Sequence, residues 1–144
     1  MIAAFGVCDE PEPGVVGEPL NVNSVHLTLL KPDGSGKANT DRNKLMVGRP
    51  LGRPITVAPP NDLLGLAITE GIEDALTAHE ATALGAWAAG SATYMPVLAD
   101  AVPEYIETVT IFGHADKAGR HGARKLAEAL VHRGIEVRLE GAGE

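Results

Sequence analysis

The sequence predicts an α/β fold, in which an open, parallel, four-stranded sheet flanked by helices follows a small β-rich N-terminal segment. Short apolar runs alternate with amphipathic helical patterns after residue 65, whereas strand and turn patterns prevail before residue 64. Strands that alternate with helices imply a parallel sheet with right-handed crossovers. The stretch Pro59-Pro60-Asn61-Asp62 marks the boundary, so we expect two parts, residues 1–64 and residues 65–144.

Short strands joined by turns are expected in the N-terminal segment. A strand over residues 23–30 alternates between two faces, one with Val25, Leu27 and Leu29 and the other with His26 and Thr28. Further strands are predicted over residues 2–5, 44–47 and 55–58, separated by loops rich in glycine and proline.

Strands and helices then alternate to the end of the chain. The predicted strands cover residues 66–69, 85–89, 109–112 and 135–139. The predicted helices cover residues 71–83, a segment capped by Ser91 or Thr93 that ends at Pro103, and residues 117–132. Gly134 is expected just past the end of the last helix, in the left-handed conformation that glycine tolerates.

The bulk composition excludes several classes of protein. The single cysteine, Cys8, cannot form an internal disulfide, which fits a reducing cytoplasm. No stretch approaches the roughly 20 apolar residues of a membrane span, and the N-terminus lacks a signal-peptide pattern. The net charge of −7 argues against strong autonomous binding of nucleic acid. We therefore expect a cytoplasmic protein without a membrane partner.

Acidic side chains follow two separate predicted strands. Glu70 follows the strand over residues 66–69, and His114 and Asp116 follow the strand over residues 109–112. Ligands of open α/β sheets bind outside the carboxyl ends of the strands, so these groups should meet at one edge. Glu70 and Asp116 would supply the carboxylates that magnesium prefers. His114 could face the same ion in an extended segment, and its imidazole suits manganese or zinc better.

Each of these residues also has a purely structural interpretation. Glu70 lies at the start of a helix, where a carboxylate stabilises the helix dipole, and Glu73 and Asp74 in the first turn favour the same role. His114 could be an ordinary hydrogen-bonded loop residue. The residues alone leave both interpretations open.

Basic residues that could hold phosphates form two groups. Lys117, Arg120 and Lys125 lie in the helix over residues 117–132, opposite the acids. The second group lies between Lys31 and Arg53, where six basic residues minus two acidic ones leave a local excess of +4. A solvated polar face would look the same. The patterns GxGxxG, GxxxxGK[ST] and GxSxG are absent, which disfavours a dinucleotide site, a P-loop nucleotidase and a serine hydrolase.

The segments LAITEGIEDAL and TVTIFGHADKAGRHGARKLAEAL carry a resemblance to a known family. A strand ending in Glu-Gly, followed by a strand ending in Asp-x-Asp with Ala-Gly soon after, is the pattern of the Toprim domain. Here Glu70-Gly71, His114-Ala115-Asp116 and Ala118-Gly119 stand at those places. Bacterial-type primases, topoisomerases, some repair proteins and some nucleases share this domain. GAWAAGS, VHLTLLKPDGSGKA and KLMVGRPLGRPI further resemble the primase and primase-helicase branch of phages and plasmids.

The resemblance implies the catalytic core of a primase-like nucleotidyltransferase in the DNA replication of a phage or mobile element. Glu70 would act as general acid or base, and Asp116 would be a ligand of Mg²⁺ or Mn²⁺, with Glu70 and His114 beside the ion. The implied partners are nucleic acid, namely a DNA template with NTPs, and a helicase or other replication domains.

One position departs from the family pattern, because His114 replaces the first aspartate of the acidic pair. One carboxylate fewer weakens the attraction for a hard dication. Two alternatives to the nucleotidyltransferase therefore stay open: a non-catalytic Toprim module that binds nucleic acid or a replication partner, and a metal-dependent nuclease. The chain also lacks the zinc-binding module and helicase motor of a full primase-helicase, which suggests a fragment or a reduced protein.

Overall fold

The computed structural model describes residues 1–60 and 64–141 and divides their strands between two sheets. The strands are β1 Ile2–Ala4, β2 Ser24–Thr28, β3 Lys44–Gly48, β4 Ile55–Ala58, β5 Gly65–Thr69, β6 Gly85–Ala88, β7 Thr108–Phe112 and β8 Glu136–Glu140. The larger sheet has the order β4-β6-β5-β7-β8, and the smaller one has the order β1-β2-β3. The smaller sheet is antiparallel throughout.

Four strands of the larger sheet, β5 to β8, run parallel to one another, which confirms the predicted parallel sheet. The strand over residues 55–58 was predicted, but it was assigned to the N-terminal segment and not to this sheet; as β4 it pairs with β6 in antiparallel orientation and makes a fifth strand. Pairing between strands so far apart leaves no local signal in the sequence. The parallel pairing of β5 with β7 brings their carboxyl ends to the same edge, and the residues after both strands meet there.

Two α-helices cover the faces of the larger sheet. Helix α1 (Ile72–Thr82) follows β5 and packs on β4, β5 and β6, whereas helix α2 (Lys117–His132) follows β7 and packs on β7 and β8. All five residues of β5 are buried, as expected for a central strand with helices on both sides. No helix of the described residues is long and apolar enough to cross a membrane.

The segment between β6 and β7 differs from the single helix that was predicted there. It forms two short 3₁₀ helices, Ala92–Tyr94 and Pro96–Ala101. Ser91 is the N-cap residue of the first one, at a predicted position, but its side chain makes no capping hydrogen bond. Its hydroxyl instead lies 2.9 Å from that of Thr93. The physical reason lies in Pro96, which has no backbone N–H and therefore breaks the hydrogen-bond ladder of an α-helix.

The smaller sheet turns its more polar face inward. The two faces of β2 separate as predicted, but Ser24, His26 and Thr28 are the buried side chains, at 3 to 4% exposure. Met46 of the neighbouring strand lies on the same side. It packs against the cluster that contains Phe5, which follows β1, and it approaches Gly90, which lies just after β6. The inward face therefore packs against the segment that follows β6. This packing carries Lys44, at the start of β3, toward the N-terminus of α1.

Candidate active site

Glu70 directly follows β5 at the carboxyl edge of the sheet, and its backbone carbonyl accepts a hydrogen bond of 2.9 Å from the amide of Gly90. The side chain is 22% exposed, yet its Oε2 atom is buried and has no hydrogen-bond partner among the described residues. A buried carboxylate oxygen without a partner costs free energy, because it has lost its water. A cation at this atom would remove that cost.

His114 connects Glu70 with Asp74. Its Nδ1 atom lies 3.2 Å from Oε2 of Glu70, close enough for an ion pair but without the alignment of a hydrogen bond. Its Nε2 atom makes a hydrogen bond of 2.9 Å with Oδ2 of Asp74. That hydrogen bond raises the pKa of His114 against partial desolvation, and the charges of Glu70, Asp74 and Asp116 raise it further. When protonated, the ring places a positive charge between two carboxylates.

Asp116 has a structural role at the start of α2. It is the N-cap residue, and its Oδ1 atom accepts a hydrogen bond of 2.7 Å from the amide of Gly119. Gly119 in turn lets the helix start lie against the loop, since a Cβ there would come within 2.7 Å of the carbonyl oxygen of His114. The structure thus brings Glu70 and His114 into contact and directs one oxygen of Asp116 to its own helix.

The basic residues predicted on α2 have other partners. The guanidinium of Arg120 donates to the carbonyl of Ala115, in the loop before the helix. The ammonium of Lys125 lies 3.0 Å from Glu128 on the same helix. Lys117 is exposed in the first turn. The contacts of the described residues do not join these three side chains to Glu70 or His114.

Two lysines of the N-terminal segment reach the site instead. The Nζ atom of Lys37 lies 3.0 Å from Oε1 of Glu73, and that of Lys44 lies 4.0 Å from Oε2 of the same carboxylate. Backbone hydrogen bonding lowers the pKa of Glu73, and the hydrogen bond from Lys37 lowers it further. These lysines belong to the basic group between Lys31 and Arg53, so their charge was visible in the sequence. Their contact with α1 was not visible, because it depends on how the two sheets pack.

The carboxylates suit a hard divalent cation, because oxygen ligands are those that magnesium prefers. The buried Oε2 of Glu70, which accepts no hydrogen bond, fits such an ion if His114 gives way to it. However, no group of three or more His, Cys, Asp or Glu residues within 1–60 and 64–141 is arranged to hold a metal. Glu70 would therefore anchor an ion whose other ligands come from rearranged side chains, water and substrate.

Residues 65–141, just over half of the chain, match a protein family described as the Toprim domain. Neither a curated protein nor a solved structure matches the chain. Toprim domains typically bind divalent metal ions such as Mg²⁺ and act on nucleic acid, which indicates a metal-dependent function related to nucleic acid here. The match spans the Glu70-Gly71 strand end, the His114-Ala115-Asp116 loop and both helices, and we conclude that the chain belongs to the Toprim domain family.

Proposed function

We propose that the chain is the catalytic core of a primase-like nucleotidyltransferase that carries out divalent-metal-dependent phosphoryl transfer on nucleic acid. The observation that supports this most is the buried Oε2 atom of Glu70, which accepts no hydrogen bond and lies at the edge where β5 and β7 both end. In this proposal residues 65–144 contain the groups that catalyse phosphoryl transfer, and residues 1–64 contribute basic side chains next to them.

The roles of the residues follow from their positions. Mg²⁺ or Mn²⁺ held by Glu70 and Asp116 would neutralise negative charge on the phosphoryl oxygens. The 3′-hydroxyl of a strand attacks the α-phosphorus of an NTP, the new P–O bond forms, and diphosphate leaves. Glu70 accepts the proton of that hydroxyl at a carboxylate oxygen. His114, when protonated, places a compensating charge next to Glu70 and Asp74.

In the first experiment the protein is incubated with labelled single-stranded DNA, NTPs and Mg²⁺ or Mn²⁺, and the length of the labelled strand is measured. We expect longer products from the wild type and none from Glu70→Gln, which removes the charge while keeping the shape of the side chain. Glu104→Gln is the matched control, because Glu104 is exposed and lies between the second 3₁₀ helix and β7. Shorter products instead of longer ones would identify the nuclease alternative.

A second candidate function is a non-catalytic Toprim module that binds nucleic acid or a replication partner. The observation that favours it is the imidazole of His114, which supplies a positive charge beside Glu70 when it is protonated. In this case neither extension nor cleavage occurs with either metal, although the strand still binds.

A metal titration followed by amide NMR tests the site without relying on activity. Saturable shifts with Mg²⁺, and line broadening by paramagnetic Mn²⁺, are expected at the ends of β5 and β7, and both should vanish in the double variant Glu70→Gln/Asp116→Asn. Asparagine caps helices about as well as aspartate, so this variant keeps the start of α2 intact. No saturable shift up to roughly tens of millimolar would contradict a working metal site.

A further inference from the structure

The smaller sheet exposes an apolar face to solvent. In an antiparallel sheet with one covered face, apolar side chains ordinarily lie on the covered face and polar ones face water. Here the order is reversed, because Ser24, His26 and Thr28 are buried at 3 to 4% exposure. The alternate residues of the three strands lie on the opposite side, which we call the outer face. They are Ile2, Ala4, Val25, Leu27, Leu45 and Val47.

The register of the strands makes the outer face continuous. Two rows of three paired side chains cross the sheet: one is formed by Ile2, Leu27 and Leu45, and the other by Ala4, Val25 and Val47. Ile2 is 74% exposed, Val47 is 54% exposed and Leu45 is 37% exposed, so no element of residues 1–60 and 64–141 covers them. Single exposed apolar residues are ordinary, whereas a contiguous exposed patch marks an interaction surface.

The chemistry of the outer face restricts its occupant. All six side chains are apolar, so the face offers neither a charge nor a hydrogen bond to the phosphates of a nucleic acid. An occupant must therefore present an apolar surface of its own. A second copy of the chain meets this requirement, because a two-fold axis brings identical patches together. The two faces would then pack about 10 Å apart with interdigitating side chains, as in a β-sandwich.

The charges beyond the two ends of the smaller sheet favour one arrangement of the two copies. The connection from β1 to β2 carries four acidic residues and no basic one, namely Asp9, Glu10, Glu12 and Glu18. The connection from β2 to β3, at the opposite end, carries three basic residues and two acidic ones, namely Lys31, Lys37, Arg42, Asp33 and Asp41. A two-fold axis along the strands would place the two acidic connections together. An axis across the strands places each acidic connection opposite the more basic one of the other copy.

The size of the outer face sets the expected strength of association. Three strands about 4.8 Å apart, with about 3.4 Å for each of five residues, give a face of roughly 14 by 17 Å. This size lies at the low end of specific interfaces. We propose that two copies of this chain associate through their outer faces, with the strands antiparallel across a two-fold axis. The dissociation constant should be roughly tens of micromolar.

This proposal is independent of the proposed function. The opposite face of each smaller sheet still packs on its own larger sheet, so the dimer keeps the approach of Lys44 to Glu73 in both copies.

Sedimentation equilibrium of the full chain between about 5 and about 500 μM tests the dimer. The wild type should change from a monomer of 15.0 kDa to twice that mass across this range. Val47→Lys should weaken association roughly tenfold or more, because it buries a charge without a partner. Ile2→Lys should do the same from the other edge of the sheet. Both residues are exposed on edge strands, where lysine is tolerated, so both variants should fold as monomers.

Val131→Lys is the matched control, because Val131 is a valine of α2 with 60% exposure, and the substitution adds the same charge outside the outer face. Its dissociation constant should stay within about twofold of the wild type. A monomer at every concentration would overturn the proposal and would leave the outer face to an apolar partner other than this chain. A dimer that persists in both Val47→Lys and Ile2→Lys would overturn it as well, since the interface would then lie elsewhere.

A spin label at Asn23, directly before β2, tests the antiparallel arrangement. Asn23→Cys is made together with Cys8→Ser, and electron paramagnetic resonance measures the distance between the two labels of a dimer. Asn23 lies about 10 Å along the strand from His26 at the middle of β2, so antiparallel faces place the labels roughly 20 Å apart or more. An axis along the strands would place them at roughly the 10 Å spacing of the two sheets, and this shorter distance would overturn the arrangement.

Discussion

His114 decides the charge balance of the candidate active site at the scale of single residues. It stands where the Toprim pattern has an aspartate, and its ring nitrogens contact Glu70 and Asp74. A third carboxylate there would repel these two unless a cation were bound. When it is protonated, the imidazole attracts both carboxylates instead, so it stabilises the metal-free edge and competes with an ion for Glu70.

The hydrogen bond with Asp74 is the main reason why the pKa of His114 is raised. Asp74→Asn should therefore lower the pKa of His114 toward its ordinary value of about 6.5. A base with a raised pKa in the folded state stabilises the fold below the unfolded pKa, and this contribution is lost as the pH rises through the folded pKa. An NMR titration of the ring protons measures the change. Glu80→Gln, on the exposed side of α1, should leave the pKa of His114 where it is.

Replacing His114 by an acid should strengthen metal binding. His114→Asp adds a carboxylate and removes the competing charge, so we expect Mg²⁺ to bind roughly tenfold more tightly. His114→Asn is the matched control, because it removes the imidazole without adding charge. Calorimetry with Mg²⁺ alone measures both variants. Equal affinities of the two variants for Mg²⁺ would show that a carboxylate at position 114 does not strengthen metal binding.

At the scale of elements, helix α2 lies unusually close to the 3₁₀ helix Ala92–Tyr94. A Cβ on Gly122 would come within 2.3 Å of the carbonyl oxygen of Ala92, so glycine is required here by space rather than by its backbone angles. The end of α2 is tied to the second 3₁₀ helix, where Arg133 donates to the carbonyls of Ala99 and Val102. The start and end of α2 are therefore both fixed, which holds the loop of His114 in place.

Gly122→Ala should destabilise the protein although alanine favours helices. The gain in helix preference is about 1 kcal/mol, whereas overpacking typically costs about 1 to 3 kcal/mol. The obstructing atom belongs to the backbone and cannot rotate away, so we expect a net loss. The midpoint of urea unfolding measures it.

Gly36→Ala serves as the control for this prediction, because nothing lies within 4 Å of an added Cβ there and the backbone angles of Gly36 are ordinary. Its free energy of unfolding should stay within about 0.5 kcal/mol of the wild type. An equal midpoint for Gly122→Ala and the wild type would contradict the close packing of α2.

At the scale of the whole molecule, the packing of the inward face of the smaller sheet determines where its lysines lie relative to α1. His26 is 3% exposed on that face. Lys44 pairs with Thr28, two residues further along β2, and lies close to Glu73 of α1. The smaller sheet therefore contributes Lys44 to the charged side chains around Glu73 at the start of α1. A change of charge at His26 would act on the same packing that carries Lys37 and Lys44 to the candidate active site.

Desolvation lowers the pKa of His26, and the nearby charges of Lys44 and Lys37 lower it further against the opposing effect of Glu73. The unfolded state then binds more protons than the folded state, so stability is full above about pH 6.5 and is lost as the pH falls below it. We expect the midpoint temperature of thermal unfolding to decrease as the pH is lowered from about 7.5 to about 5.5. The decrease should be smaller in His26→Gln.

His121→Gln, an exposed position on α2, is the control for His26→Gln and should keep the pH dependence of the wild type. His114 contributes with the opposite sign, so the comparison between variants carries the test rather than the wild-type curve. An unchanged slope in His26→Gln would contradict the role of the buried imidazole.

The sequence by itself determined the elements whose signals are local. Helix α2 begins and ends where it was predicted, because its cap at Asp116 and its stop at Gly134 act through nearby backbone groups. The apolar runs fixed the parallel strands, and the order of strand and helix placed Glu70 and His114 at one edge. Pro96 shows the limit, since the apolar spacing around it suggested one continuous helix.

Only the tertiary structure decided which side chains share that edge. Lys37 and Lys44 lie too far from Glu73 along the chain for any spacing rule to predict their contact. The pairing of β4 with β6 is also a long-range contact and was not predicted for the same reason. Asp74 was expected to serve the helix dipole, and its contact with His114 depends on how α1 and β7 pack. The polar side of β2 faces inward, which the alternation of its residues alone did not indicate. Long-range packing therefore set the composition of the site, while local sequence set its scaffold.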